Sequence, residues 1–443
     1  MKLIPAFIHR RIAHRQSLVK IADNIGWLFF DKILRMGVGL LVGVWVARYL
    51  GPEQFGMLNF ATAFVSMFGA IAGLGLQSIV VREILRNPAC REETLGTAAT
   101  LLFLGGTLAY GLTIGTIFWL RPDDALAKVL VAIIGSTMLL KASEVAVFWF
   151  EAQVQSKYTV WVQNGCFLVF AGVKSVLIIK HASLIAFAWV IFAEVLIVAI
   201  IMGSILGMRG PKWSQLFLTL GRTKALLKDS WPLMLSGVSI MIYMKIDQIM
   251  LGQLEGNEAV GIYSAAVRIS ELWYFIPMTI VASIFPAILE AKKRGDAHYK
   301  RRLQQLYDLM VGLSVAIALP MTFLSTPIVT RIFGEAFSTA GVVLSIHIWA
   351  AVFVFIGVAS AQWFIVENRQ ILAFQRTMLG GGANVALNYL LIPSFGAVGA
   401  AVATVISQAV AALFFDAIQS DTREMFMMKM KSLNPLRIIK KLS

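Results

Sequence analysis

Residues 48–64 read RYLGPEQFGMLNFATAF, and residues 252–269 read GQLEGNEAVGIYSAAVRI. Each is a polar turn with two glycines five residues apart, set between long apolar runs. At an offset of 205, Gly51 falls on Gly256, Glu53 on Glu258, Gly56 on Gly261 and Ala61 on Ala266. A second echo, at an offset of 212, lays ANVALNYLL (residues 383–391) over AGVKSVLII (residues 171–179). Two echoes at nearly one spacing indicate a duplicated unit. A turn confined to a few residues at a membrane edge needs positive φ or close helix approach, and glycine permits both without steric cost. A tight hairpin is by itself a sufficient reason for these glycines.

The runs around the turns decide the class. The chain has 443 residues, 58% hydrophobic and only 14% charged. Soluble domains are nearer half apolar and a quarter charged, so this composition belongs to an integral membrane protein. Apolar spans are predicted at 25–48, 55–80, 95–120, 125–150, 158–179 and 183–207. Six more follow at 230–251, 261–289, 303–325, 338–365, 371–392 and 397–419. The expected architecture is all-α: twelve transmembrane helices in two pseudo-symmetric six-helix lobes. Six crossings return the chain to its starting side, so the repeats share one orientation. The expected domains are residues 1–208, a cytoplasmic amphipathic linker over 209–229, a second lobe over 230–420 and a basic tail over 421–443.

The net charge of +15 would suit nucleic acid in a soluble protein. Here thirty of the 39 Lys and Arg fall in segments on one side of the spans, five on the other and four inside. Positive-inside bias explains that split, with both termini cytoplasmic and no nucleic acid as partner. Cys90 and Cys166 lie in different segments and suggest neither a disulfide framework nor a metal site. The N-terminal MKLIPAFIHRRIAHRQ lacks an apolar core with a cleavage site, so the first span is expected to direct insertion.

Ionisable residues inside spans cost about 2.5–3.5 kcal/mol each on insertion scales, so each needs a partner, water or a purpose. Lys141 and Glu144, and likewise Arg268 and Glu271, are three apart and can pair on one helix face. Lys245 and Asp247 are two apart and face different directions. Asp247 is a helix-face partner for Lys245 or Arg268. Glu194 stands alone in the sixth span, Lys174 near the outer end of the fifth, and Asp416 near the inner end of the twelfth. Two readings stand for the cations: neutralised or snorkelling structural groups, or the lining of a cationic aqueous cavity that holds a phosphate or acidic sugar. Pro277, Pro286 and Gly381, the last within a run of three glycines, mark helices that either bend or are statically kinked. Metalloprotease, P-loop and soluble paired-carboxylate signatures are absent, so no enzyme is expected.

RYLGPEQFGMLNFATAF, FWFEAQVQSKYTVWVQN (148–164), the long stretch DSWPLMLSGVSIMIYMKIDQIMLGQLEGNEAVGIYSAAVRISELWYFIP and FGAVGAAVATVISQ together resemble the Wzx-type O-antigen flippases. These form the polysaccharide-transport branch of the multidrug/oligosaccharidyl-lipid/polysaccharide (MOP) exporter superfamily. The resemblance runs over nearly the whole chain. It implies a V-shaped bundle and alternating access that flips undecaprenyl-diphosphate-linked oligosaccharide across the bacterial cytoplasmic (inner) membrane for O-antigen, capsule or exopolysaccharide. It also implies antiport with H+ or Na+ and no other cofactor. Lys245, Arg268, Lys141 and Lys174 are then the substrate-binding candidates, and Asp247, Glu271, Glu144 and Glu194 the ion-coupling candidates. Expected partners are the lipid-linked oligosaccharide, the phospholipid bilayer, and glycan polymerase with chain-length machinery, the flippase itself acting as a monomer. Rival readings are a multidrug or lipid II exporter of the same superfamily, or a membrane polysaccharide polymerase. The basic intramembrane residues argue against an exporter of cationic drugs. The expected twelve spans lack the extra ones of a lipid II flippase, and the short outer connections argue against a polymerase.

Overall fold

The computed structural model describes residues 16–367 and 369–434. These contain no strand and run as a succession of helices. The first are α1 (Gln16–Gly73), α2 (Leu76–Arg86), α3 (Arg91–Leu120), α4 (Ala125–Gly135), α5 (Val145–Ala152), α6 (Lys157–Ile179) and α7 (Leu184–Arg209). Then come α8 (Leu220–Leu254), α9 (Asn257–Glu271), α10 (Phe275–Arg294), α11 (Asp296–Phe333), α12 (Ala340–His347) and α13 (Ala350–Val366). The chain continues with α14 (Gln370–Ala409), α15 (Phe415–Ile418) and α16 (Arg423–Leu433).

Among the described residues, ten stretches are long and apolar enough to cross a membrane. Two are double length, Asp31–Arg86 with 56 residues and Ile371–Ile418 with 48, where one crossing takes about 20. Each is broken inside a long helix by a glycine with non-helical dihedrals, Gly51 (φ 73°, ψ 172°) in α1 and Gly396 (φ 53°, ψ −133°) in α14, and the first stretch bends again at Leu74 and Gly75 between α1 and α2. The ten stretches therefore accommodate the twelve expected crossings.

Gly51 and Gly256 (φ 91°, ψ −178°) share one backbone conformation, so the repeated sequence is a repeated structure. Each glycine ends one helix in a region closed to most side chains. The next helix opens on Pro52 or Asn257, with Glu53 or Glu258 in its first turn, where a carboxylate complements the positive end of the helix dipole.

The chain folds as two compact units. The first comprises the described residues up to Tyr49 together with Ala61–Met241, the second Leu50–Phe60 together with the described residues from Ile242 onward. This differs from the sequence-based division at 208 and 230, because the boundary between the units falls inside α8, after Met241. The physical cause lies in the first unit. The expected amphipathic helix over 209–229 does not form as a separate element. A short 3-10 turn at Trp213–Gln215 is followed by non-helical chain to residue 219, and α8 runs from Leu220 without interruption into the span. The Trp213 indole donates to the Gly203 carbonyl at 3.0 Å, and the Thr219 hydroxyl donates to Glu93. Arg222 pairs with Glu83 at 3.3 Å and Glu93 at 3.8 Å, and Arg82 pairs with Asp229. Gly75 backs onto Ser230 and Met234 with no room for a Cβ. The start of α8 is thus clamped to the first unit, whose apolar core is built from α2, α3, α5 and the C-terminal end of α7, with Leu226 of α8.

In the second unit the two repeated turns meet. A Cβ on Gly56 would collide with the Asn257 carbonyl and the Gly261 amide, and one on Gly261 with the Pro52 carbonyl and the Gly56 amide. At the offset of 205, Pro52 is the counterpart of Asn257, so the contact is reciprocal, each glycine receiving the other repeat's backbone. The core of this unit gathers α10, α11, α13 and the start of α14 at Leu372, with Leu413 beyond the end of α14 and Met425 of α16.

The expected basic tail is not free in solvent over its described part. Helix α16 docks by Lys429, which is fully buried, donates to the Ala412 carbonyl at 2.8 Å and pairs with Asp416. That pairing also corrects the isolated Asp416. Residues 1–15, nearly all of the N-terminal stretch MKLIPAFIHRRIAHRQ, and 435–443, the end of the expected basic tail, lie outside the described residues.

Candidate functional site

The first unit holds a cavity of about 340 Å³ whose polar lining includes Arg35, Lys141, Ser143, Glu144, Gln163 and Glu194. Its wall is an unusual piece of helix. Between α4 and α5 the span continues as nine residues of 3-10 helix, Ser136–Glu144, whereas such runs rarely exceed three or four. Three hydroxyls support it by donating to carbonyls three residues back: Ser136 to Ile133 and Thr137 to Ile134 at 2.6 Å, and Ser143 to Leu140 at 2.8 Å. Gly106, with no Cβ, leaves room for the Met138 carbonyl. With three residues per turn, positions i and i+3 eclipse. Lys141 therefore stands directly over Glu144, and the expected pair forms at 2.6 Å.

Lys174 and Glu194, which the sequence left isolated on separate spans, pair with each other at 3.2 Å between α6 and α7. Arg35 bonds Asp31 at 2.8 Å and lies over the Phe167 ring. Arg35 with Asp31, Lys141 with Glu144 and Lys174 with Glu194 thus form three matched pairs.

The second unit carries a different arrangement. Asp247 on α8 is buried, and the structure corrects its expected partners. Its Oδ2 accepts from the Tyr263 hydroxyl at 2.6 Å and the Thr404 hydroxyl at 2.7 Å, and its Oδ1 from the Asn388 amide at 2.6 Å. Asn388 Nδ2 also donates to the Asn384 side-chain Oδ1 at 3.0 Å, and Asn384 Nδ2 donates to the Ser407 hydroxyl at 3.2 Å. Asn384 and Asn388 share one face of the first half of α14, and Thr404 and Ser407 one face of its second half. The break at Gly396 folds α14 back so that both faces meet Asp247. Gly399 tightens that turn, its Cα lying against the Leu391 carbonyl. The buried Asn388 Oδ1 has no hydrogen-bond partner.

Arg268 does not form the expected pair with Glu271: no ion pair within 4 Å joins them among the described residues. Its guanidinium lies over the Phe55 ring at 5.5 Å, and its buried Nη1 has no partner. Glu271 ends α9 within electrostatic reach of Lys245, Asp247 and Arg268. The expected pivots sit as follows. Pro277 is buried in the first turn of α10, after a 3-10 turn at Leu272–Tyr274, and Pro286 lies inside that helix. At Gly381 the backbone stays helical, and Gly380 and Gly381 are the surface against which Tyr243 packs.

Sequence reasoning reached Asp247 and missed Tyr263, Asn384, Asn388 and Thr404. The signal available was the pair of asparagines four apart in an otherwise apolar span, ANVALN.

The profile of a family described as "Polysaccharide biosynthesis protein" matches residues 21–292, and that of MatE matches residues 232–390. Among curated relatives, "Probable flippase AglR" of Haloferax volcanii is 24% identical over 417 residues, covering 88% of this chain and 81% of that protein. "Succinoglycan biosynthesis transport protein ExoT" of Rhizobium meliloti is 23% identical, covering 74% of this chain and 65% of that protein. The solved structure "Lipid II flippase MurJ, inward closed conformation" superposes with a TM-score of 0.72 at 15% identity, covering 94% of this chain and 92% of that one, and so shares the fold. With more than half its length inside one profile, this chain belongs to the polysaccharide biosynthesis protein family.

Proposed function

We propose that this multi-pass membrane protein is a flippase for lipid-linked oligosaccharide, a transporter rather than an enzyme. The relatives named as flippase and succinoglycan transport protein support that reading. The observation that carries it is the buried Asp247 network: a carboxylate deep in a spanning unit, held by side chains from three helical segments, is costly to keep there without a purpose. Its oxygens, with the unpartnered Asn388 Oδ1 and the Thr404 hydroxyl, form a donor set that fits a small hard cation or a proton. Such an ion, when bound, supplies the gradient coupling. Asp247, Asn388 and Thr404 hold it, and Asn384 and Tyr263 orient them. Arg268, with a free buried donor, and Lys245 attract the diphosphate or acidic sugars, and the cavity beside Lys141 and Glu144 receives polar groups of the glycan. The location is the bacterial cytoplasmic membrane with both termini inside, the carrier lipid is undecaprenyl diphosphate, and a glycan polymerase with its chain-length machinery acts downstream.

The test is complementation of a flippase-null strain. Wild-type protein restores surface glycan and clears lipid-linked intermediates. Arg268→Gln with Lys245→Gln lowers surface glycan about tenfold or more, the loss of a charge-assisted contact. Full export by that double variant would exclude these two cations from the substrate path.

A further inference from the structure

The hairpin that joins α10 to α11 has two electrically unlike faces. On one, Lys292 pairs with Glu367 at 2.9 Å and Asp296 at 3.3 Å, and Lys300 pairs with Glu424 at 2.6 Å. On the other lies a recess of about 320 Å³ lined by Glu290, Arg294, His298, Arg301, Arg302 and Gln305. Residues 298, 301, 302 and 305 form a stripe at i, i+3, i+4 and i+7 along α11, and 287, 290, 291 and 294 form the facing stripe on α10. Ala287 and Ala291 on that second stripe make the room. The only carboxylate in the lining, Glu290, is already paired with Arg294. Arg302 reaches Gln305 at 3.4 Å, and Arg301 and His298 make no ion pair among the described residues.

We infer that this recess binds the phosphate of a lipid headgroup. Three arginines share one carboxylate there, while the lysines on the opposite face are neutralised. Guanidinium is the side chain that grips phosphate oxygens two at a time. The depth also fits: the recess sits where the stretch Asn257–Arg294 ends and Asp296–Phe333 begins, the level at which headgroups meet basic pockets between helices. The site is separate from Arg268 and Asp247 and does not depend on their roles. The phosphate has two possible sources, an anionic phospholipid of the bilayer or the diphosphate of a lipid-linked substrate.

Native mass spectrometry of the full-length protein distinguishes them. Phosphatidylglycerol, undecaprenyl diphosphate and zwitterionic phosphatidylcholine are each titrated onto wild type, R301Q/R302Q and the control K292Q/K300Q. The expected result is binding of phosphatidylglycerol or undecaprenyl diphosphate that weakens about tenfold in R301Q/R302Q and is unchanged in the control; the lipid that binds identifies the source. Both arginines are exposed, and a melting curve in detergent establishes that the variant is folded, with R301Q alone used if it is not. Equal binding by wild type and the arginine variant, equal loss in the control, or equal retention of phosphatidylcholine overturns the inference.

Discussion

Asp247 shows how much of a residue's role is set by what reaches it. Three donors converge on its carboxylate, and none of their positions is adjacent to it in sequence. Asp247→Asn puts an amide nitrogen, which cannot accept, before hydrogen-bond donors, so one buried donor is left unmade at a cost of about 1–3 kcal/mol. The expected outcome is a folded protein with a lowered melting temperature in detergent and export near that of the null strain. Asn388→Leu removes both the bond to Asp247 and the unpartnered Oδ1. It is expected to weaken ion-dependent export while leaving export at saturating ion closer to wild type, which an ion titration of transport in proteoliposomes measures. Lys141 offers the contrast. Its pair with Glu144 leaves the two side chains 27% and 38% exposed, so Lys141→Met is expected to change stability by no more than about 1 kcal/mol, as for other solvated pairs.

At the scale of elements, the two glycines of the repeated turn do different jobs. Gly51 has open space around its Cα but dihedrals that essentially only glycine adopts, so Gly51→Ala carries a conformational penalty alone, about 1–3 kcal/mol. Gly56 is unstrained but touches backbone, so Gly56→Ala forces two helices apart and is expected to cost more than Gly51→Ala, about 3 kcal/mol or outright misassembly. Thermal unfolding of both variants in one detergent checks the order, and a Gly56→Ala protein as stable as wild type would refute the close crossing. The turn itself was legible in the residues, because glycine, a helix-starting Pro or Asn and a first-turn Glu follow local rules. The 3-10 segment Ser136–Glu144 was not: its sequence, STMLLKASE, serves equally well as α-helix, and the choice rests on Gly106 of another span giving room to the Met138 carbonyl.

At the scale of the whole molecule, charged clamps tie a helix to each unit. Arg222 bridges Glu83 and Glu93, which hold the start of α8 to the first unit. In the second unit Lys429 holds α16 against Asp416. Both members of that pair are fully buried, so Lys429→Met leaves an uncompensated carboxylate and is expected to destabilise by about 3–5 kcal/mol. Combining it with Asp416→Leu should recover most of that loss, since replacing both charges by apolar groups removes the penalty. Melting temperatures of the single and double variants test this coupling.

The amino-acid order alone determined the membrane class, the number of crossings the helices accommodate, the repeated turn and the presence of charges inside spans, because composition, apolar run length and glycine chemistry act locally. Only the tertiary structure decided who meets whom. It joined Lys174 to Glu194, separated Arg268 from Glu271, gave Asp247 its asparagines and threonine, and drew α16 into the second unit. Those outcomes depend on which helices lie side by side and on how each is rotated about its axis. A rotation of a few tens of degrees changes every partner without altering a single local preference.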